Sequence, residues 1–355
     1  NKAFEQIGFK NVVQARPFPS DDPSFDPDNL KYNCVRYSPS ETTNSAGPHW
    51  TDPRTGEIIN ASVYIYHNIV KLLKEWLFVQ TAAANPAVRG MTIPEELLGE
   101  SISYVVTHEV GHCLGLMHNM AGSSSIPVDS LRCPEFTQKY GTTHSIMDYA
   151  RFNYIAQPGD MDKGVNLMPP TLGKYDFYAI EWLYRPILSA ATAEDEVPVL
   201  RQFITDHSSD PVYRYGKQQV RAKVDPSSFE EDLGDDPVKA AQYGLENLKY
   251  IAANFNDWLA AEDVDYSYRQ TIFKQVSHNT KTRARSARIV QISLHKRELR
   301  IYAQTARDLS VHLLQIRIKA AKLRQRVERY MTAALRYNRK LFFCVCRRIS
   351  MSQRA

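Results

Sequence analysis

The stretch THEVGHCLGLMH, residues 107–118, decides how this sequence is interpreted. On an α-helix, His108 and His112 stand four residues apart, so both imidazoles project from one face and can bind one metal ion at about 2.0–2.1 Å. Gly115 lets the chain turn sharply after the helix, so that His118 can swing back toward the same ion. Three imidazoles leave the fourth zinc position to water, which is the arrangement of a catalytic site rather than a structural one.

Glu109 follows the first of these histidines, where its carboxylate is placed to take a proton from a zinc-activated water. The full pattern arises by chance in roughly one chain of this length in 10⁵. Two alternatives stay open: ordinary helix residues, or a zinc site that has lost activity. Cys113 faces about 100° away from His112 on the helix, so the sequence predicts a buried apolar side chain there and not a fourth ligand.

The pattern HExxHxxGxxH resembles that of the metzincin clan of zinc endopeptidases, and the resemblance extends to SIMDY at residues 145–149. This second motif is similar to the Met-turn of the clan and follows the histidines in the same order. The resemblance implies that Met147 forms an apolar floor beneath the three histidines and that Tyr149 reaches the zinc or the oxyanion. Each of the two residues also has a simpler interpretation, as a packed core side chain.

The surrounding sequence is similar, more narrowly, to large exported bacterial zinc-dependent metalloproteases. The similarity covers residues 1 to about 275 and is carried by DPRTGEI (52–58), HNMA (118–121), SIMDYARFNY (145–154), QPGD (157–160) and EDLGDD (231–236). It implies an α+β metzincin-like zincin fold, with a twisted mixed sheet, an active-site helix and a mostly helical C-terminal subdomain. It also implies one catalytic Zn²⁺ ion, a protein or peptide substrate, and an export signal in a region that precedes this chain.

Local patterns predict which segments form strands and helices. Strands are expected where β-branched and aromatic residues concentrate, at residues 11–15, 32–37 and 57–66. Helices are expected at residues 3–7, 67–81, 92–114, 174–184 and 237–261. Thr92 and Glu95 form a capping-box pair for the helix that carries the histidines, which Gly99 can divide, and Asp236 is expected to cap the last helix. The metzincin resemblance implies that an extended substrate pairs with one of the early strands.

The charge changes sign near residue 280. Residues 1–280 contain 24 Lys and Arg against 36 Asp and Glu, whereas residues 281–355 contain 20 against 3 and have no Gly, Pro or Trp. We therefore divide the chain into an N-terminal catalytic subdomain (1–118), a C-terminal catalytic subdomain with its extension (119–280) and a basic tail (281–355). The tail fits a solvated helical hairpin, a basic arm for nucleic acid or anionic surfaces, or a translation-frame artefact.

Other candidate site residues carry less weight. Three loop carboxylates offer oxygen ligands but lack the EF-hand spacing, so calcium is unsupported: Asp160, Asp162 and Asp176. Three further histidines are expected at the surface or in hydrogen bonds: His49, His67 and His144. Two cysteines of the basic tail are not interpreted as a metal site: Cys344 and Cys346. No apolar run approaches the roughly 18 residues of a membrane-spanning helix, and no nucleic-acid module accompanies the basic charge, so neither partner is expected.

The sequence predicts a zinc-dependent endopeptidase that hydrolyses peptide bonds through a zinc-activated water, with Glu109 as general base. The alternative is a catalytically silent zinc domain that binds peptides or glycoproteins. A third interpretation, an interaction protein led by its basic tail, has no support before residue 280, where the net charge is negative. The sequence leaves the cleavage preference and the oligomeric state open.

Overall fold

The computed structural model describes residues 1–220 and 225–294. In these residues five short strands form two sheets: β1 (Val35–Ser38), β2 (Ser45–Ala46), β3 (His49–Thr51), β4 (Ile58–Ala61) and β5 (Val63–Tyr66). The larger sheet has the order β1–β5–β2, with β1 parallel to β5 and β2 antiparallel to it. β3 and β4 form the smaller, antiparallel sheet. The larger sheet is therefore mixed, and β2 lies at one of its edges.

The segment predicted as one strand, residues 57–66, is divided at Ser62 into β4 and β5, which belong to different sheets. Ser62 donates its backbone N–H to the carbonyl of Pro48 (3.2 Å), beside β3. The next residue, Val63, donates instead to the carbonyl of Cys34 (2.9 Å), beside β1. The chain therefore changes strand partners between two consecutive residues. Local β-propensity does not predict this change.

The strand predicted at residues 11–15 is wrong. This segment has no strand partner, and Val12 and Val13 are exposed. A β-branched run forms a strand only where a neighbouring segment completes its hydrogen bonds, and here Val13 instead donates its N–H to the side chain of Asn1 (3.0 Å). The strand predicted at residues 32–37 is β1, which begins later, at Val35.

Eight α-helices lie in the described residues: α1 (Lys2–Gln6), α2 (Ile69–Thr81), α3 (Glu95–Cys113), α4 (Pro134–Tyr140), α5 (Lys174–Tyr184), α6 (Ala193–His207), α7 (Pro237–Trp258) and α8 (Ser267–Leu294). The helix predicted at residues 174–184 is confirmed with the same bounds. The Asp236 side chain accepts the N–H groups of Val238 and Lys239 at the start of α7, as predicted. Helices α4, α6 and α8 have no counterpart in the sequence prediction.

Helix α3 carries the candidate site, and Gly99 does not divide it. It begins at Glu95 because Pro94 is its N-cap and has an extended backbone (φ −53°, ψ 136°). The predicted capping box is wrong, since Thr92 lies two residues before the N-cap. Acidic residues nevertheless occupy the first turn, where they interact favourably with the helix dipole.

Helices α2, α7 and α8 pack against one another. Each of these helices contributes buried apolar side chains: Leu73, Leu77 and Phe78 of α2, Leu248, Ile251 and Phe255 of α7, and Ile272 and Val276 of α8. Helix α8 runs through the predicted domain boundary at residue 280 without a break. The division into three parts stays a prediction, and the tail from residue 295, with Cys344 and Cys346, lies outside the described residues. In the part of the chain that the structure describes, no helix is both long and apolar enough to cross a membrane.

The chain between α3 and α5 is largely irregular and yet largely buried. Buried amides supply the hydrogen bonds that regular structure would otherwise provide. Asn153 donates to the carbonyl of Leu131 (2.7 Å), and Asn247 of α7 donates to the carbonyls of Tyr154 (2.9 Å) and Ala156 (2.8 Å). Since buried backbone groups must be paired, these contacts fix the path of the loops around the candidate site.

Candidate metal centre and active site

Helix α3 and the turn that follows it bring three histidines together. The rings of His108 and His112 lie 4.8 Å apart between centroids. Gly115 adopts φ +84°, which reverses the chain, and the His118 ring then lies 4.6 Å from that of His112 and 5.2 Å from that of His108. One ring nitrogen of each residue lies within 4.8 Å of the others. Among the described residues, this trio is the group of His, Cys, Asp and Glu side chains that can hold a metal ion.

Each of the three imidazoles is held through its Nδ1 atom. Nδ1 of His108 lies 2.6 Å from the carbonyl oxygen of Ile146, and Nδ1 of His112 lies 2.8 Å from that of Leu116. Nδ1 of His118 lies 2.8 Å from Oε1 of Gln218, a side chain one hundred positions later. Because all three partners are acceptors, each Nδ1 carries a proton, and in the neutral ring the lone pair then lies on Nε2.

This arrangement fits a bound zinc ion. The Nε2 atoms of His112 and His118 lie 3.0 Å apart, and with both Nδ1 atoms protonated two lone pairs face each other. A cation between the rings converts that repulsion into two coordination bonds, and three neutral imidazoles form a known catalytic zinc ligand set. Hydrogen bonds from the opposite ring nitrogen are the support that zinc-bound histidines have in general.

Burial keeps two of these histidines neutral. It lowers the pKa of His108 to about 3, and it lowers the pKa of His118 as well. In both cases desolvation disfavours the imidazolium, and the neighbouring His112 acts in the same direction. Since only the neutral ring coordinates a metal, the site favours metal binding over protonation.

Glu109 lies beside the trio on the same helix and is only 6% exposed. Its Oε1 atom accepts a hydrogen bond of 2.5 Å from the hydroxyl of Ser45, in β2. Burial raises the pKa of Glu109, whereas the Ser45 hydrogen bond and the nearby His112 oppose that rise. The edge strand approaches α3 closely at Gly47, where a Cβ atom would overlap the backbone carbonyl of Glu109.

Met147 is fully buried beneath α3. A Cβ atom on Gly111 would lie 2.5 Å from the Met147 sulfur, so the thioether packs on the helix backbone between the positions of His108 and His112. Leu116 and Ile146 belong to the same apolar cluster. The residue expected to form an apolar floor therefore lies against the helix that carries two of the histidines.

Asp176 holds the 145–149 turn and does not take part in a metal cluster. Its carboxylate accepts hydrogen bonds from the Ser145 hydroxyl (2.8 Å) and from the backbone N–H groups of Ile146 (2.9 Å) and Gly173 (2.7 Å). It is almost fully buried, and burial raises its pKa to about 6. No sequence motif marked this residue as support for the turn.

Tyr149 packs directly on the histidines. Its ring centroid lies 4.7 Å from that of His118 and 5.6 Å from that of His108. The Arg151 guanidinium lies 4.8 Å from the Tyr149 ring centroid and 3.5 Å from that of Trp76, and Glu231 binds its Nε atom (2.8 Å). Burial raises the pKa of Tyr149, so its phenol remains a hydrogen-bond donor at neutral pH.

A segment far along the chain completes the site. We call residues 214–220 and 225–231 the clasp. Besides Gln218, the clasp contributes Glu230, whose Oε1 atom accepts from Nε2 of Gln218 (2.6 Å). It also contributes Glu231, whose N–H bonds the carbonyl of Tyr149 (3.2 Å). The sequence analysis missed Gln218 and Glu230, since single polar residues in a loop carry no pattern.

Two cavities lie beside residues that neighbour the candidate centre, the turn after α3 in one case and Tyr149 in the other. One, of about 320 Å³, is lined by Tyr149, Arg151, residues 229–231 and polar side chains of α8. The other, of about 770 Å³, begins at residues 115–117 and is lined mainly by aromatic and aliphatic side chains of α5 and residues 204–215. The candidate centre is thus bordered by one polar and one apolar cavity.

The remaining candidates lie away from the trio. Cys113 is half-buried, burial raises the pKa of its thiol to about 11, and its sulfur is not part of the group that can hold a metal ion. Asp160 forms an ion pair with Arg132 (2.6 Å), and Asp162 is exposed. His144 is buried, and its backbone pairs with Gly122 and Tyr175, so of the two expected environments the surface one is wrong. Two histidines are exposed as predicted: His49, in β3, and His67, which bonds the Tyr37 hydroxyl.

A family model described as Met-zincin matches residues 90–293, more than half of the chain. The match spans α3, the 145–149 turn and the clasp, and it extends beyond residue 275, where the sequence analysis placed the end of the similarity. Together with the mixed sheet and the helices, it confirms the predicted zincin fold. No curated protein and no solved structure matches the chain.

Proposed function

Because this chain belongs to the Met-zincin family, we propose that it is a zinc-dependent endopeptidase with one catalytic zinc ion. The observation that carries the proposal is the position of a buried carboxylate, Glu109, beside three converging imidazoles. A metal site without catalytic activity needs the histidines but does not need a buried carboxylate next to them. Burying a carboxylate costs free energy, and a catalytic role explains that cost. Burial raises the pKa of a general base, which brings it closer to the working pH.

His108, His112 and His118 would hold the zinc ion, which when bound would polarise the scissile carbonyl and lower the pKa of the attacking water. Glu109 accepts the proton that the water loses as its oxygen attacks the carbonyl carbon, and then passes this proton to the leaving amine as the C–N bond breaks. The Ser45 hydroxyl orients the carboxylate through the bond at Oε1. The chain thereby provides both proton transfers with one side chain.

Tyr149 is proposed to stabilise the oxyanion. Its ring packs on His118 and His108, and burial keeps its phenol protonated. A phenol that donates a hydrogen bond to the developing negative charge stabilises the transition state more than the ground state. The 145–149 turn that carries Tyr149 is proposed to be the Met-turn, with Met147 as its apolar floor.

The substrate is proposed to bind as an extended peptide along β2. Ser45–Ala46 is an edge strand of the mixed sheet and contacts the general base directly, so a peptide paired with it places its backbone beside Glu109. The polar cavity beside Tyr149 is then available to one substrate side chain next to the scissile bond. This cavity contains acidic and basic groups, which favours a polar or charged side chain.

The experiment that tests the proposal is cleavage of a quenched-fluorescent peptide library by the full chain, with zinc content measured on the same sample. We expect cleavage that a zinc chelator abolishes and added Zn²⁺ restores. Glu109→Gln should abolish cleavage, whereas Glu100→Gln, an exposed position on the same helix, should leave it unchanged. Zinc-loaded, folded protein that binds peptides without cleaving them would identify the silent binding domain instead. Export remains a prediction that the sequence resemblance alone carries.

A further inference from the structure

The third histidine is held in a different way from the first two. His108 and His112 donate to backbone carbonyls of Ile146 and Leu116, which every amino acid possesses. His118 donates to the side chain of Gln218, which in turn donates to the side chain of Glu230. The support of this one ligand therefore depends on the identity of two residues that lie far from the zinc motif.

The orientation of the Gln218 amide follows from its two partners. An ionised carboxylate only accepts hydrogen bonds, so the amide NH₂ group must face Glu230, at 2.6 Å. The amide oxygen then faces Nδ1 of His118, at 2.8 Å, and can only accept from it. We call the two hydrogen bonds, from His118 to Gln218 and from Gln218 to Glu230, the relay. The relay fixes the His118 tautomer in which Nε2 carries the lone pair.

Backbone and side-chain contacts join the clasp to the residues that follow the third histidine. The Asn119 side chain donates to the carbonyl of Arg214 (3.0 Å) and accepts from the N–H of Gly216 (2.8 Å). Met120 donates its N–H to the carbonyl of Gly216 (2.7 Å). The two residues that follow His118 are thus tied to the clasp just before Gln218.

We propose that Gln218 and Glu230 are positioning residues that orient His118 and raise its basicity as the third zinc ligand. The Glu230 carboxylate polarises the Gln218 amide, which increases the negative charge on Oε1 and strengthens its bond to Nδ1–H. A more strongly bonded Nδ1–H makes the opposite nitrogen a better electron donor. This inference rests on the proposed zinc site, and it does not depend on whether the site cleaves peptides.

The test measures the zinc dissociation constant of the full chain by competition with a chromogenic chelator, without any substrate. Gln218→Met keeps the side-chain length and removes the acceptor, so it should weaken zinc binding by about 10- to 100-fold. Gln202→Met, an exposed glutamine on α6, is the matched control and should leave the constant unchanged. Unchanged melting temperatures of the metal-free variants show that the fold is intact.

An exchange of the two residues separates positioning from packing. Gln218→Glu alone places two carboxylates side by side and should weaken zinc binding. Adding Glu230→Gln to that variant restores the relay with its polarity reversed, since the new carboxylate accepts from both His118 and the new amide. We expect zinc affinity to return to at least the wild-type level, and the absorption spectrum of the Co²⁺-substituted protein to return with it.

Two results would overturn the proposal: zinc binding by Gln218→Met within about threefold of wild type, or an exchanged pair that binds no better than Gln218→Glu alone. If Gln218→Met fails to fold, the exchanged pair decides the question. A wild-type chain that binds zinc but cleaves no peptide would contradict the proposed activity and leave this inference standing. A wild-type chain that binds no zinc would contradict both.

Discussion

Two regions of the chain meet at the candidate centre, and they contribute in different ways. The first, α3 with the turn that follows it to His118 and the 145–149 turn, supplies the histidines, the carboxylate and the tyrosine, and its own backbone carbonyls hold two of the histidines. The second, the clasp, supplies no proposed ligand or proton-transfer group, yet its side chains bind the third histidine and Arg151. The difference shows that the first two histidines are held by nearby backbone, whereas the third depends on side chains from a distant part of the sequence.

The substitution with the largest expected effect tests whether the catalytic step depends on the first region alone. Glu109→Gln should lower kcat/KM by about 10³-fold, because the attacking water loses its base, and should leave zinc affinity unchanged. Gln218→Met should instead weaken zinc binding and retain most of its turnover once zinc is saturating. Peptidase assays at several zinc concentrations measure both. Turnover lost in the clasp variant at saturating zinc would abolish the distinction between the two regions.

The next effect concerns Tyr149, which belongs to the first region and is contacted by the clasp through the N–H of Glu231. Tyr149→Phe should lower kcat by about 10²-fold with little change in KM, since the phenol acts only on the developing oxyanion. The ring contacts with His118 and Arg151 remain in this variant. Steady-state kinetics measure the result, with Tyr250→Phe on α7 as the control. An unchanged kcat would identify Tyr149 as a packing residue.

A smaller effect, on stability, compares two faces of α3. Gly111→Ala introduces a Cβ atom 2.5 Å from the buried Met147 sulfur and should destabilise the protein by about 1–3 kcal/mol. Gly99→Ala has nothing within 4 Å of its new Cβ atom and should stabilise it by about 0.5–1 kcal/mol. Denaturant unfolding of the metal-free variants measures both. If Gly111→Ala and Gly99→Ala changed the free energy of unfolding equally, Met147 would not pack tightly under the histidines.

The smallest expected effect is a shift in the pH profile. Glu109 must be ionised to act as a base, and its pKa is raised by burial but held down by the Ser45 hydroxyl. Ser45→Ala removes the lowering contribution, so the acid limb of kcat/KM should move to higher pH, while rates above the limb change little. A limb that moves to lower pH, or does not move, would contradict the role given to β2.

The sequence predicted the site better than the fold around it. Helix α5 and the cap of α7 were correct because Pro, Gly and Asp mark helix ends locally. The strand at residues 11–15 was wrong, and residues 57–66 were not one strand, because a strand is defined by its partner. The burial of His144 and the role of Asp176 were missed for the same reason: both depend on segments that meet only after folding.

The sequence by itself determined the three histidines, the carboxylate beside them and the glycine turn that brings the third histidine back to the other two. Helical spacing and ligand chemistry allow few residue types at those positions, so a local pattern suffices. Tertiary structure alone decided that Ser45 touches Glu109, that Asp176 holds the 145–149 turn and that Gln218 holds His118. A hydrogen-bond acceptor for an imidazole can be any carbonyl or amide, and only the folded chain selects which one is near.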